Sequence, residues 1–160
     1  MSKLNPYDTF LDGRPIVTIL DATHASLANA LAAIGADKLS TPPAPGKWSP
    51  AQIVSHLADC EIAFGFRLRQ TLAEDAPVMQ PFDQDKWAAT YTGVSAGLAL
   101  ESFKAMRAWN LRLIRAALPE AAGRVTTHPE RGTMTFQTIV ETMAGHDLNH
   151  LGQLQRLAQA

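Results

Sequence analysis

Cysteine is nearly missing from this chain: Cys60 stands alone among 160 residues. That excludes an internal disulfide framework and a zinc site built from several thiolates. Charge of one sign is missing too, because 14 basic residues face 15 acidic ones for a net charge of −1. Such a balance offers no electropositive surface for nucleic acid. No apolar run approaches the ~20 residues that a membrane helix needs. The opening MSKLNPYD has no basic-then-apolar leader. The expectation is a soluble, cytoplasmic protein with neither membrane nor nucleic-acid partners. A Gly-rich phosphate loop and a Gly-x-Ser-x-Gly elbow are also missing, as are the paired Glu-x-x-His motifs of carboxylate-bridged two-metal bundles.

What is present reads as one globular domain over residues 1–160, with 46% hydrophobic and 18% charged residues. A chain of this size buries roughly 68–70% of its unfolded surface. The ten prolines leave four long proline-free windows, at 16–41, 51–76, 82–118 and 130–160. Proline is excluded from helix interiors but suits a first turn, so the windows predict four helices. The first runs over about 15–34, with a stripe of Ile16, Leu20, Leu27, Leu31 and Ile34 at helical spacing. The second runs over about 50–73; Ser49, Pro50 and Gln52 form a capping-box start. The third covers about 97–118, ending before Pro119, with Leu100, Phe103, Met106, Leu113 and Ile114 as its stripe. The fourth, about 136–158, is capped by Thr135. Residues 74–96 form a long link, which frees the second and third helices from simple antiparallel packing. A link of that length is often functional. Residues 123–134, with Pro129 and Gly132, are a turn with room for a short hairpin.

The informative positions are polar residues on the inward stripes. In the fourth helix the inward series is 136, 139, 143, 146, 150, 154 and 157, which places His146 and His150 one turn apart on one face. Two imidazoles at that spacing can grip one divalent cation. The string His146-Asp147-Leu148-Asn149-His150 is close to the zinc-protease His-Glu-x-x-His but has aspartate for glutamate. Little sequence follows it, so a third ligand is expected from upstream. In the second helix the inward series includes His56 and Cys60. His56, His146 and His150 would supply three nitrogens with one position open, the pattern of a catalytic rather than a structural site. The competing reading is three hydrogen-bonded core histidines.

Cys60 could be a fourth ligand, a reactive thiol or buried filler. Arg107 and Asn110 fall near the inward face of the third helix, either contacting a polar substrate or joined in a buried network. Glu61 lies off the His56 face and reads as the partner of an arginine. Asp147 could hydrogen-bond elsewhere in the bundle. Asn149 and Gln153 are candidates for orienting a substrate. His24 reads as structural, and His128, before Pro129, as a solvated turn residue.

Two blocks carry a family resemblance: GKWSPAQIVSHLADCE at 46–61 and HPERGTMTFQTIVETMAGHDLNHLGQL at 128–154. The first has Trp-Ser before a helix with His-Leu and an acidic residue. The second has a His-Pro turn, a Thr-started helix and His-Asp-x-x-His followed by glutamine. In order and separation they resemble the DinB-like superfamily, near its branch with a YfiT-type bundle. The resemblance implies an all-α four-helix bundle of up-down-down-up topology, with the long link between the second and third helices. It implies a divalent metal, zinc or nickel, on a triad that maps to His56, His146 and His150. It also implies a homodimer and a small-molecule substrate. Some relatives are metal-dependent thiol S-transferases or isomerases using mycothiol, bacillithiol or glutathione, so a low-molecular-weight thiol is an expected cosubstrate. The residues leave two alternatives open. One is a hydrolase using metal-bound water, with Asp147 or Asp59 as base; the other is a non-catalytic bundle that binds a small ligand.

Overall fold

The computed structural model describes residues 4–159. Four long helices form the body: α1 (Ile16–Ile34), α2 (Pro50–Ala73), α4 (Ala96–Ala121) and α5 (Phe136–Ala158), with a single short helix, α3 (Gln84–Ala88), in the link between α2 and α4. The predicted boundaries agree closely because the caps are formed. Gln52 N–H donates to Ser49 Oγ, and Ser49 N–H donates back to Gln52 Oε1 at 2.9 Å. Thr135 Oγ1 accepts from Thr138 N–H at 3.1 Å. At the other end of α4 the expected stop before Pro119 is wrong. The helix runs through Pro119 to Ala121; Pro119 has no N–H for the carbonyl of Arg115, so that rung of the ladder is missing while the last turn continues past it.

Neighbouring helices define the topology. Ser55 and Ala58 of α2 lie beside Leu98 and Ala99 of α4, and farther along Arg69 of α2 donates to Asn110 of α4 at 2.8 Å. The two helices therefore run parallel. Thr23 of α1 bonds Asp147 of α5, while Leu31 and Leu154 share the core cluster at the far end, so α1 and α5 are parallel as well. This is the up-down-down-up arrangement. A parallel neighbouring pair requires the chain to return along the bundle, and residues 74–95 make that return.

On its way the return strand-pairs with a hairpin. β1 (Val125–His128) and β2 (Gly132–Thr135) pair antiparallel with His128 opposite Gly132, in the stretch where a hairpin was expected. Met79 N–H donates to Thr127 O at 2.8 Å, and Thr127 N–H to Pro77 O at 2.9 Å. These bonds pin the long link to the hairpin edge and carry Pro81, Phe82 and Gln84 across one flank of the bundle.

α1 corrects an expectation. Its length and mean hydropathy of 1.3 would suffice to cross a membrane by composition alone. In the bundle its Ile19, Leu20 and Leu27 are almost fully buried, so the apolar content serves the core.

The inward face of α4 also differs from the predicted stripe. Leu100, Met106 and Leu113 are only half-buried, whereas Arg107 and Asn110 are 3% exposed. The reason is a polar network in the bundle interior. Arg107 Nη2 donates to Glu61 Oε1 of α2 at 2.6 Å, and Nη1 donates to Asp147 Oδ2 of α5 at 2.7 Å and to Leu20 O of α1 at 3.1 Å. Its Cζ lies 4.6 Å from the Phe103 ring centroid. Asn110 Nδ2 donates to both Glu61 O and Glu61 Oε2 at 2.9 Å. A Cβ at residue 65 would stand 2.6 Å from Asn110 Oδ1, so glycine there lets α2 and α4 approach. Glu61 is thus an arginine partner, as its face implied.

Removing one member of a buried ion network leaves charge uncompensated. Arg107→Ala is expected to cost about 3–5 kcal/mol, measured as a fall in the urea unfolding free energy. A cost under about 1 kcal/mol, the range of surface pairs, would show that the network does not hold the helices.

Candidate metal centre

Two helices bring three imidazoles together. His56 lies on the second turn of well-capped α2; His146 and His150 share one face of α5. Their exposures are 1%, 4% and 7%. His56 Nε2 is 3.0 Å from His146 Nε2, and one nitrogen from each of the three rings lies within 4.8 Å of the others. Nitrogens about 2.0–2.1 Å from a tetrahedral zinc would be about 3.3 Å apart, so small side-chain shifts would close this set around one ion.

The protonation states suit such a ligand set. Burial, then the His150 ring, lowers the His56 pKa to about 4. Burial pushes His146 well below its ordinary value, and its two histidine neighbours and Arg107 push it the same way. His150 is lowered by burial against the opposing pull of Gln153 and Asp147. At neutral pH all three rings are uncharged, the ligating form. Two neutral nitrogens 3.0 Å apart can share a proton or face a cation; a third nitrogen beside them suits the cation. His150 Nδ1–H donates to Gln153 Oε1 at 3.2 Å. That bond orients the ring and leaves Nε2 as a lone pair, as outer partners of metal-bound histidines do. Among the described residues, the buried Nδ1 of His146 has no hydrogen-bond partner.

Aromatic rings wall the triad. Trp48, from the GKWSP block, packs 4.9 Å from His56 and lies nearly parallel to His150 at 6.5 Å. Tyr7 meets His146 edge-on at 5.0 Å. The segment carrying Tyr7 crosses α5 where a Cβ on Gly145 would stand 2.4 Å from Tyr7 O. Sequence reasoning missed Tyr7, because nothing in a short N-terminal turn indicates which helix it will cover.

The other candidates separate clearly. Cys60 is next to the triad, with Sγ 3.5 Å from His56 Nε2 and 3.9 Å from His146 Nε2. Burial, reinforced by Asp147, Glu61 and Asp59, pushes its pKa up, so it is held as a thiol. Asp147 is committed to Arg107 and to Thr23 Oγ1, which donates to it at 3.0 Å. Asp59 accepts from Tyr91 OH at 2.7 Å. Arg107 and Asn110 belong to the interior network, not to the mouth of the site. The side chain of half-buried Asn149 makes no hydrogen bond among the described residues. His24 is half-buried on α1 and does not belong to the histidine cluster. His128 is a correction: it is 4% exposed at the end of β1, because the hairpin folds it inward over α2. It shares a cavity of about 170 Å³ with Tyr7, His56, Cys60 and His146. A second cavity of about 750 Å³ is lined by Trp48, His150, Gln153, Asp85 and Arg156, with Gln84 bordering both.

A parallel-paired four-helix bundle with a three-histidine cluster between two helices defines a helical bundle with a candidate metal site. A model of the DinB superfamily matches residues 19–154, and the chain belongs to that superfamily. A provisionally named metal-dependent hydrolase of Oceanobacillus iheyensis is 27% identical over 134 residues, covering 83% of this chain and 78% of its own length. YfiT of Bacillus subtilis, provisionally named in the same way, is 24% identical over 148 residues, covering 89% of this chain and 82% of its own. The solved structure of YfiT, described as a probable metal-dependent hydrolase with an unusual four-helix bundle topology, superposes with a TM-score of 0.83 at 22% identity, over 90% of this chain and 84% of that one.

The depressed imidazoles make the metal-free protein sensitive to acid. The unfolded chain takes up protons near pH 6.5, but folded His56 does so only near pH 4. Between those values the unfolded state binds more protons, so stability falls as pH falls. His56 alone contributes a loss on the order of 3 kcal/mol, and the two other rings act in the same direction. Urea midpoints of chelator-treated protein at pH 7 and pH 4.5 check this; an unchanged midpoint would contradict the buried, neutral triad.

Proposed function

We propose that this protein is a metal-dependent enzyme acting on small molecules, and that the activated nucleophile is a low-molecular-weight thiol transferred to an electrophile. The observation that carries this reading is the triad's position between two cavities, which gives two substrates separate approaches to one centre. A divalent cation, zinc or nickel, held by His56, His146 and His150 would supply a Lewis acid that lowers the pKa of a bound thiol. The chain's own residues do the rest. Gln153 holds the His150 ring in its ligating tautomer. Trp48 and Tyr7 cover the imidazoles and keep water from their faces, which strengthens electrostatic interactions inside the site. Asp147, Glu61 and Asp59 all have partners already (Arg107, Thr23, Asn110 and Tyr91). Those ties disfavour them as general bases, and a thiol needs less help to ionise than water does.

Hydrolysis through bound water is the second reading. It is favoured by the names of the relatives and by Glu130, which lines the smaller cavity. The net charge of −1 supports neither a nucleic-acid nor an anionic-membrane partner.

Mass spectrometry of tag-free protein is expected to find about one divalent ion per chain, lost from His56→Ala and His150→Ala variants that keep their helical circular dichroism. The loaded protein is then expected to conjugate glutathione, or another cellular thiol, to chlorodinitrobenzene only with metal present. Metal-dependent cleavage of esters, amides or phosphates without thiol turnover would select hydrolysis instead. Protein that stays empty after incubation with zinc, nickel and manganese would overturn both readings.

The homodimer implied by the resemblance is also proposed. Its support is an exposed apolar face on α2 and α4, where Ile62, Phe66, Leu98 and Trp109 are 52–65% exposed, more than a monomer gains from leaving bare. Light scattering is expected to give twice the chain mass, and Phe66→Glu to give the monomer; a wild-type monomer at micromolar concentration would refute it.

A further inference from the structure

The smaller cavity carries a second set of polar groups that the triad does not use. Arg67 stands on α2, and Arg131 in the turn of the β1–β2 hairpin; both line the cavity with His128 and Tyr7. The two guanidiniums converge from unrelated elements: burial and then Arg131 lower the Arg67 pKa. Among the described residues neither makes an ion pair with a carboxylate. Arg67 is held in place by donating Nη2 to Gln80 O at 3.0 Å, with its Cζ 5.7 Å from the Phe82 ring centroid. Its remaining N–H groups have no protein acceptor among the described residues. Glu130 also lines this cavity, on its exposed side, and has a partner of its own.

The neutral groups beside them are donors as well. Glu130 N–H donates to His128 Nδ1 at 3.2 Å, so neutral His128 carries its proton on Nε2. Burial, and then Arg131 and Arg67, keep that ring below its ordinary value. Tyr7, which lines the same cavity, adds a phenol O–H. Two guanidiniums, an imidazole N–H and a phenol O–H make a donor set with like charges drawn together, a costly arrangement until an anion enters it.

We propose that Arg67 and Arg131, with His128 and Tyr7 beside them, form a subsite for an oxyanion, a carboxylate or a phosphoryl group, at the far end of the substrate that reacts at the triad. Arg67 lies eleven residues beyond His56 on the same face of α2, roughly 16 Å along the axis at a rise of ~1.5 Å per residue. Both long side chains reduce the gap, so the substrate class is a molecule with its oxyanion a short chain away from the reacting group. The hairpin, which the bundle topology does not need, exists in this reading to present Arg131 and His128, and the long link that the topology does need brings the Phe82 platform beside them. The proposal rests on the reading of the triad as a reaction centre, but its test does not.

Isothermal titration of the full zinc-treated chain with butyrate, butylphosphonate and the neutral butyramide separates the outcomes. At least one of the two anions is expected to bind on the order of tenfold tighter than the amide, and the tighter one identifies the oxyanion. Arg67→Gln and Arg131→Gln are each expected to remove that preference while zinc content is unchanged, whereas Arg115→Gln, on an exposed pair with Asp21, leaves it intact. His150→Ala without metal is expected to keep the preference. If the preference is absent in the wild type, survives both cavity substitutions, or disappears with the metal alone, the subsite is refuted. An empty triad with an intact anion preference would sink the metal reading and leave this one standing.

Discussion

The bundle depends on one guanidinium. Arg107 is buried at the point where all four long helices come together, and its hydrogen bonds reach a carbonyl of α1, a carboxylate of α2 and a carboxylate of α5. A charge in that position is tolerable only with its partners in place, so the network specifies how the helices are placed relative to one another more sharply than apolar packing does. Leucine and isoleucine contacts permit neighbouring helices to slide or exchange places; a guanidinium bonded to three separate helices does not. Asp147, one of those partners, directly follows His146. The electrostatic centre of the core therefore also sets the position along α5 from which the histidines face α2.

The site then follows from a division of labour. α2 and α5 supply the imidazoles on rigid helical faces, where a spacing of four residues places His146 and His150 together without any loop. Irregular segments supply the enclosure: the N-terminal turn with Tyr7, the proline-rich stretch ending at Trp48, and the long link with Phe82 and Gln84. Parallel packing of α2 with α4 requires that link to travel back along the bundle, so the topology itself provides the cover. The hairpin adds an edge for the link to pair with, and thereby turns a connection into a wall with charged groups on it.

Membership of the DinB superfamily and the close superposition on YfiT account for this architecture at low identity. A bundle's core tolerates many apolar combinations of the right volume, whereas the placement of a few polar residues is far more restrictive. Sequence divergence can proceed around the histidines while the bundle persists. What surrounds the triad comes mostly from the loops, the segments that vary most between related chains.

The sequence by itself determined the four helices, through proline spacing and the caps at Ser49 and Thr135. It also determined the histidine set, because polar residues at helical spacing inside an apolar stripe are legible without coordinates. Periodicity is local, set by 3.6 residues per turn, and needs no partner to be read. Only the tertiary structure decided what depends on contacts between distant segments. The inward face of α4 was read through Leu100, Met106 and Leu113, but interhelical ion pairing selected Arg107 and Asn110. His128 looked like a solvated turn residue until the hairpin placed it over α2. Tyr7 and Arg131 carry no periodic signal, and although Arg67 falls at helical spacing from His56, its meeting with Arg131 is made by a chain crossing rather than by any repeat. Those pairings are long-range, and their free energy appears only after the helices have met.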